Sequence, residues 1–413
     1  MSAGRVLGLI LVPGLLVAAA AGVLTFRSAS GDSLPDAGPW VFVAVDRAAA
    51  PDAVAVIQLA NTSVFTTLPL DCGGDCKPFG LALSPAGDRL YVSNSQADSV
   101  SVIDLATLQV TATWPLKSPA DSQVRTPREL AVSPDGSRLY VSNQAAGTVS
   151  IFDTGNGRVI TETAVGLSPR GIDFLPDGRA VVVTQGDAAT PGTISVLSPI
   201  TYGVVMSRTV QTGEQPVAVR AVGNPVNQIL VLEQAGGSGQ NQVEKFDFNL
   251  APLGSPFQVG NGPVAMVYDG QTLTLYVACG TDKDIWKINL SGQQVERLGA
   301  TFNPNPPTPF NGLALYPGSD SQSARLIVVG GGGSAGGRSF RHGGFRGRRR
   351  HGACRGSGLQ ARPFRRRRRL RRAGGLKRMS RRFLCQGHRQ GGLTASGLVP
   401  RQSRSRRQPQ RAR

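Results

Sequence analysis

Three basic residues stand beside prolines at regular intervals. Lys77 precedes Pro78, Arg128 follows Pro127 and Arg170 follows Pro169. If these prolines open equivalent units of a repeated structure, the three side chains recur at one structural position. They would then form a cationic rim suited to an anionic ligand, although such charges also occur as ordinary solvated surface groups. The carboxylates Asp173, Glu233 and Asp282 are the oxygen ligands a divalent metal would need. No spaced motif links them, and Asp135 and Asp177 read as turn residues of Pro-Asp-Gly sequences. All three histidines, His342, His351 and His388, fall near the end of the chain. Residues 1–334 therefore hold no Ser-His-Asp or Cys-His apparatus and no His-ligated zinc, copper or haem. No Cys-x-x-Cys-His occurs, and the glycine run 330–337 lacks the Lys-Ser/Thr of a phosphate loop. No catalytic residue, no metal site and no cofactor is expected on these grounds.

Cys72 and Cys76 bracket the loop CGGDC, which in an exported protein reads as a local disulfide. A metal site there would have only Asp71 and Asp75 to add. Cys279, in LYVAC, reads as a small buried apolar residue.

The elements that must position these residues repeat along the chain. Prolines at 78, 127, 169, 216, 263 and 309 stand 49, 42, 47, 47 and 46 residues apart. Each is followed by a short apolar strand, such as Leu81-Ala82-Leu83 or Leu130-Ala131-Val132. A turn such as Ser133-Pro134-Asp135-Gly136 comes next, and then a second strand such as Arg138-Leu139-Tyr140-Val141-Ser142-Asn143. A third strand alternates polar and apolar residues, as in Thr148-Val149-Ser150-Ile151-Phe152, and a weaker fourth follows. Four strands in roughly 40–50 residues make one blade of a β-propeller. A β-sandwich would not repeat the same proline, turn and Tyr-Val strand in the same order. The 52 glycines and 28 prolines suit an all-β body rich in tight turns.

Leu90-Tyr91-Val92-Ser93-Asn94 and Leu139-Tyr140-Val141-Ser142-Asn143 each follow a Ser-Pro-x-Gly turn. They precede Val-x-Val-Ile-Asp and Val-x-Ile-Phe-Asp. These stretches resemble the YVTN β-propeller repeat, a family that is usually seven-bladed and similar to lactonase-like and quinoprotein-dehydrogenase-like propellers. The resemblance covers about residues 40–333; the two central units match closely and those at 169–307 match in pattern. It implies an all-β, seven-bladed β-propeller over residues 39–333.

Trp40–Val45, Val54–Ile57 and Val64–Leu68 read as the second, third and fourth strands of a first blade whose inner strand is missing. The unit at Pro309 shows two strands and stops at Gly330, so the last blade is incomplete. The remaining strands of blade seven and the inner strand of blade one are expected after residue 333.

Residues 1–30 carry Arg5 and then 21 uncharged residues, 6–26, the pattern of an export signal or an N-terminal membrane anchor. Either reading places the body outside the cytoplasm: periplasmic, cell-surface or secreted. The net charge of +19 is divided. Residues 1–334 carry all 26 acidic residues and 19 of the 45 basic ones, a net −7. Residues 335–413 carry the other 26 basic residues and no Asp, Glu, Asn, Ile, Tyr or Trp. Two readings of 334–413 stay open. One is a disordered Arg-rich tail that binds nucleic acid or another polyanion through phosphate contacts. The other is a frameshifted translation of GC-rich DNA, since codons for Phe340-Arg341-His342-Gly343 read one base later can restore a Ser-Val-Thr-Val strand.

Two functional classes follow. The first is an extracytoplasmic binding or scaffold protein whose partner is an anionic small molecule or a protein at the cell surface, with function in the loops. The second, by the resemblance, is a lactonase-like enzyme with an acidic divalent-metal site; a quinone- or haem-dependent dehydrogenase has no residue here to support it. The chain leans toward the non-enzymatic class. Nucleic acid is a partner only if the Arg-rich tail is genuine, and a membrane only if residues 1–30 are retained.

Overall fold

A computed structural model describes residues 5–12, 40–46, 51–58, 63–117, 120–210, 214–235, 240–298, 310–316, 325–330 and 338–341. All belong to the first of two compact units, 1–346; the second, 347–413, lies outside the described residues. The readings of 1–30 as signal or anchor and of 334–413 as a tail therefore fall outside them, apart from 5–12 and 338–341. Among the described residues every regular element is a strand, and none forms a helix long and apolar enough to cross a membrane.

The repeated turn is built as its residues require. In Ser133–Gly136 the Gly136 N–H donates to the Ser133 carbonyl at 2.8 Å, and Gly136 has φ +75°, a left-handed conformation that glycine adopts without Cβ strain. Asp135 accepts from the Ser137 N–H at 3.0 Å and Asp177 from the Arg179 N–H at 3.1 Å, which makes both of them turn residues. The turn leads into Arg138–Asn143, whose residues 139–143 are all buried. A strand covered on both faces has no solvent side, which explains its nearly continuous apolar run. Its last residue, Asn143, donates from Nδ2 to Thr148 Oγ1 at 3.0 Å and Ser150 Oγ at 2.8 Å. Asn94 does the same to Ser99 and Ser101 in the preceding repeat. The terminal Asn of the Tyr-Val strand thus pins the start of the next strand in blades two and three.

Six four-stranded antiparallel sheets and one three-stranded sheet result. Blade one consists of Arg5–Val12, Trp40–Asp46, Ala53–Gln58 and Ser63–Pro69. Blade two starts at Pro78–Leu83, blade three at Pro127–Val132, blade four at Pro169–Phe174, blade five at Glu214–Val222 and blade six at Pro263–Asp269. Blade seven holds Phe310–Tyr316, Arg325–Gly330 and Arg338–Arg341. Each starting strand contacts the starting strands of the blades on either side, and Arg5–Val12 contacts both Pro78–Leu83 and Phe310–Tyr316, so the inner strands form a ring. Apolar clusters lie between consecutive blades. Tyr91, Leu139, Val141 and Phe152 join blades two and three, and Tyr140, Ile151, Ile172 and Val182 join three and four. Outer strands such as Gln109–Pro115 alternate between exposed and half-buried residues and face solvent.

The inner position of blade one is a correction to the sequence reading. It is filled from the N-terminal side, by Arg5–Val12 pairing antiparallel with Trp40–Asp46, and not by a strand beyond residue 333. An eight-residue apolar run fits a buried strand as well as a hydrophobic export segment, and hydropathy does not separate the two. Blade seven takes its third strand from Arg338–Arg341, which is on the expected side of residue 333.

Candidate functional site

One end of the ring collects the residues that precede and follow each inner-strand proline. Lys77, Thr126 and Ser168, each just before its proline, have left-handed φ of 46°, 52° and 53°. Their carbonyls accept from Ser95, Gln144 and Gln185, the residues that follow the second strand of blades two, three and four. Lys77 therefore shares its position with Thr126 and Ser168. Arg128 and Arg170 follow their prolines and share theirs with Phe79. This corrects the expectation that the three basic residues recur at one structural position. Their spacing from the prolines differs by two, which a sequence reading keyed to the proline alone passes over.

The conformation before the proline is held by a buried carboxylate of the preceding blade. Asp52 Oδ2 accepts from the Cys76 and Lys77 N–H groups at 3.1 and 2.9 Å. Asp98 Oδ1 accepts from the Arg125 and Thr126 N–H groups at 3.1 and 2.8 Å. Both aspartates are 5% exposed. The disulfide joins Cys72 to Cys76 immediately before this clasp, and the Lys77 ammonium lies 3.5 Å from Asp75.

Arg128 and Arg170 are fixed differently. The Arg128 Nε donates to Gln144 Oε1, and its guanidinium carbon lies 4.3 Å from the centroid of the Phe79 ring. Arg170 donates to Gln185 Oε1 from Nε at 3.1 Å and Nη2 at 2.8 Å; Gln185 in turn donates to Gln215 at 2.9 Å. Neither guanidinium is in an ion pair with a described carboxylate. Nearby Arg125 shows the contrast: it is 6% exposed and bridges Asp121 at 2.7 Å and Glu162 at 2.9 Å. Burial lowers the pKa of both Arg128 and Arg170, and the positive charge of Arg170 lowers that of Arg128 further. The two like charges are thus close enough to interact on neighbouring inner strands. A pocket of about 600 Å³ brings Lys77, Phe79, Lys117, Val124 and Arg128 together and does not include Arg170.

Glu129 is a candidate site residue that the sequence reading missed. It stands where blades two and four carry Gly80 and Gly171. A Cβ on Gly80 would lie 2.3 Å from the Arg128 carbonyl oxygen, and one on Gly171 2.8 Å from the Val219 nitrogen. Blade three has a carboxylate at this place. Burial pushes its pKa up, against the opposing charges of Arg220, Arg170 and Arg128. The signal was present as a glutamate breaking the Pro-x-Gly pattern. Gln144 and Gln185 were likewise legible as glutamines recurring after the second strand.

The three carboxylates considered for a metal do not assemble. Asp173 accepts from the Ala221 N–H at 2.9 Å and lies 3.6 Å from Arg220. Asp282 accepts from the backbone N–H and side-chain amide of Asn261 at 2.8 and 3.1 Å. Glu233 accepts from Gln242, across the second and third strands of blade five.

Residues 49–158, from blade one into blade three, match the family described as "Lactonase, 7-bladed beta-propeller". The fold is that of a β-propeller. The propeller is also similar to a solved structure of hydrazine synthase from Kuenenia stuttgartiensis, at 22% identity and a TM-score of 0.53 over 62% of this chain and 77% of that one. Virginiamycin B lyase from Staphylococcus aureus, solved in an inactive form with quinupristin, is similar at 14% identity and a TM-score of 0.56 over 72% of this chain and 90% of that one. These likenesses show the fold alone. No curated protein matches the chain.

Proposed function

We propose that this propeller is an extracytoplasmic binding protein that takes an anionic ligand at the mouth of its ring through Arg128 and Arg170. One observation carries the reading. Two half-buried guanidinium groups interact with each other, are oriented by glutamines and form no ion pair with a described carboxylate. A fork of N–H donors held by neutral amides keeps its charge available for a carboxylate or phosphate, which it meets with two parallel hydrogen bonds. Lys77, in the adjoining pocket, adds a third positive charge. Isothermal titration of the exported protein with phosphate, citrate and gluconate tests this. At least one should bind, and R128A/R170A should weaken it more than tenfold. Unchanged binding in that variant would remove the rim from the account.

A second reading rests on Glu129. A half-buried carboxyl with a raised pKa among guanidinium groups is the arrangement of a general base beside an anion site. It supports lactone hydrolysis, the chemistry for which the family matching 49–158 is named. A pH-stat assay with glucono-δ-lactone would show turnover lost in E129Q. Anion binding without turnover would leave the binding reading alone.

A further inference from the structure

The carboxylates of blade five form a second site that the ring mouth does not use. In blades two to four, the end of the second strand faces the start of the third through neutral pairs: Asn94 with Ser99, Asn143 with Thr148 and Thr184 with Thr193. In blade five the pair is Glu233 with Gln242. Glu244, two residues along the same strand, shares a face with Gln242, and Glu214 opens the neighbouring inner strand. Gln242 Nε2 donates to Glu214 Oε1 at 2.7 Å and to Glu233 Oε2 at 2.9 Å. The second oxygens, Glu214 Oε2 and Glu233 Oε1, are buried with no hydrogen-bond partner. Glu233 is 0% and Glu214 9% exposed. One carboxylate oxygen from each of the three glutamates lies within 4.8 Å of the others.

The corresponding acid in blade six, Asp284, is ion-paired with Arg297. None of the three glutamates of blade five is in an ion pair with a described lysine or arginine. Arg208, whose charge acts on Glu244, is turned to the Leu250 carbonyl at 3.3 Å and the Phe246 ring. Burying like charges without a counter-ion is strongly unfavourable, so these carboxyl groups call for either protons or a cation.

We infer that Glu214, Glu233 and Glu244 hold a divalent cation of the hard, oxygen-seeking kind, with calcium the best fit. Ligands on opposite sides of a calcium ion at about 2.4 Å lie about 4.8 Å apart, and the three carboxylate oxygens fall within that span. Three carboxylates offer up to six oxygens, and no sulfur or imidazole is present to favour a softer metal. The ion would clip the inner strand of blade five to its second and third strands. It is separate from the arginine rim, and its test does not depend on the ligand of the mouth.

The test uses the full chain, stripped with EDTA and returned to chelator-free buffer at pH 7.5. Calcium chloride should raise the melting temperature by several degrees and release or take up heat in titration, with magnesium weaker and sodium at equal ionic strength without effect. E233Q and E244Q should each cut the shift by more than half; E244Q, at a half-buried position, guards against a variant that fails to fold. No shift and no heat with calcium, magnesium or manganese would overturn the inference and leave a carboxyl pair sharing a proton. A full calcium shift in both variants would overturn it too, by placing the ion elsewhere.

Discussion

Phe79 and Arg128 occupy the same position in consecutive blades, and the guanidinium of one lies 4.3 Å from the ring centroid of the other. The propeller thus places a residue of blade two as the floor on which a residue of blade three rests its charge. Such a contact holds about 0.5–1 kcal/mol at a partly exposed site. Phe79→Leu should leave the fold intact and weaken anion binding about threefold, because Arg128 loses its orientation but not its charge. Titration of the variant with the best-bound anion checks this, and circular dichroism checks the fold.

The close approach of inner strands sets a second expectation. A Cβ on Gly80 would meet the Arg128 carbonyl at 2.3 Å, and one on Gly171 would meet backbone atoms of Ala218 and Val219 at 2.8–3.1 Å. Backbone cannot move aside as a flexible side chain can. Gly80→Ala and Gly171→Ala should each destabilise by about 1–3 kcal/mol, whereas Gly74→Ala, with nothing within 4 Å of its Cβ, should be neutral. Thermal melts of the three variants separate these outcomes.

The buried carboxyl of Glu233 predicts a pH dependence. Desolvation is the largest cause of its raised pKa, which reaches about 8 against an ordinary 4.5. The folded state therefore keeps a proton that the unfolded state gives up between these values. Stability from this group is complete below pH about 4.5 and is lost as pH rises toward 8. In EDTA the melting temperature should fall across that window, and E233Q should flatten the slope. A melting temperature that rises from pH 5 to 8 with no difference between the two proteins would contradict it.

Cys279 is fully buried, and burial pushes its thiol up to about 12. The reactive thiolate is absent at ordinary pH and the sulfur is out of reach. Peptide mapping after iodoacetamide at pH 8 should find Cys279 unmodified in the native protein and modified in urea.

Much of this was legible in the residues. The prolines, the Ser-Pro-x-Gly turns and the Tyr-Val-Ser-Asn strands gave the blade and its order, because each encodes a local conformation. Cys72 and Cys76 were legible as a pair because only three residues, Gly73, Gly74 and Asp75, lie between them. The inner strand of blade one was not, since an apolar run such as RVLGLILV satisfies a strand and an export segment equally. The site was half legible. Arg128 and Arg170 were visible as charges, yet whether they form ion pairs depends on which neighbours the ring supplies. Glu214 and Glu244 meet Glu233 only because three strands align, and no spacing along the chain announces that.

The most direct measurement is a crystal of the protein soaked in sodium selenate, with the anomalous signal of selenium mapped. The account predicts a peak between the guanidinium groups of Arg128 and Arg170 that disappears in R128A/R170A. Peaks only at other surface cations, with none between these two arginines, would contradict it.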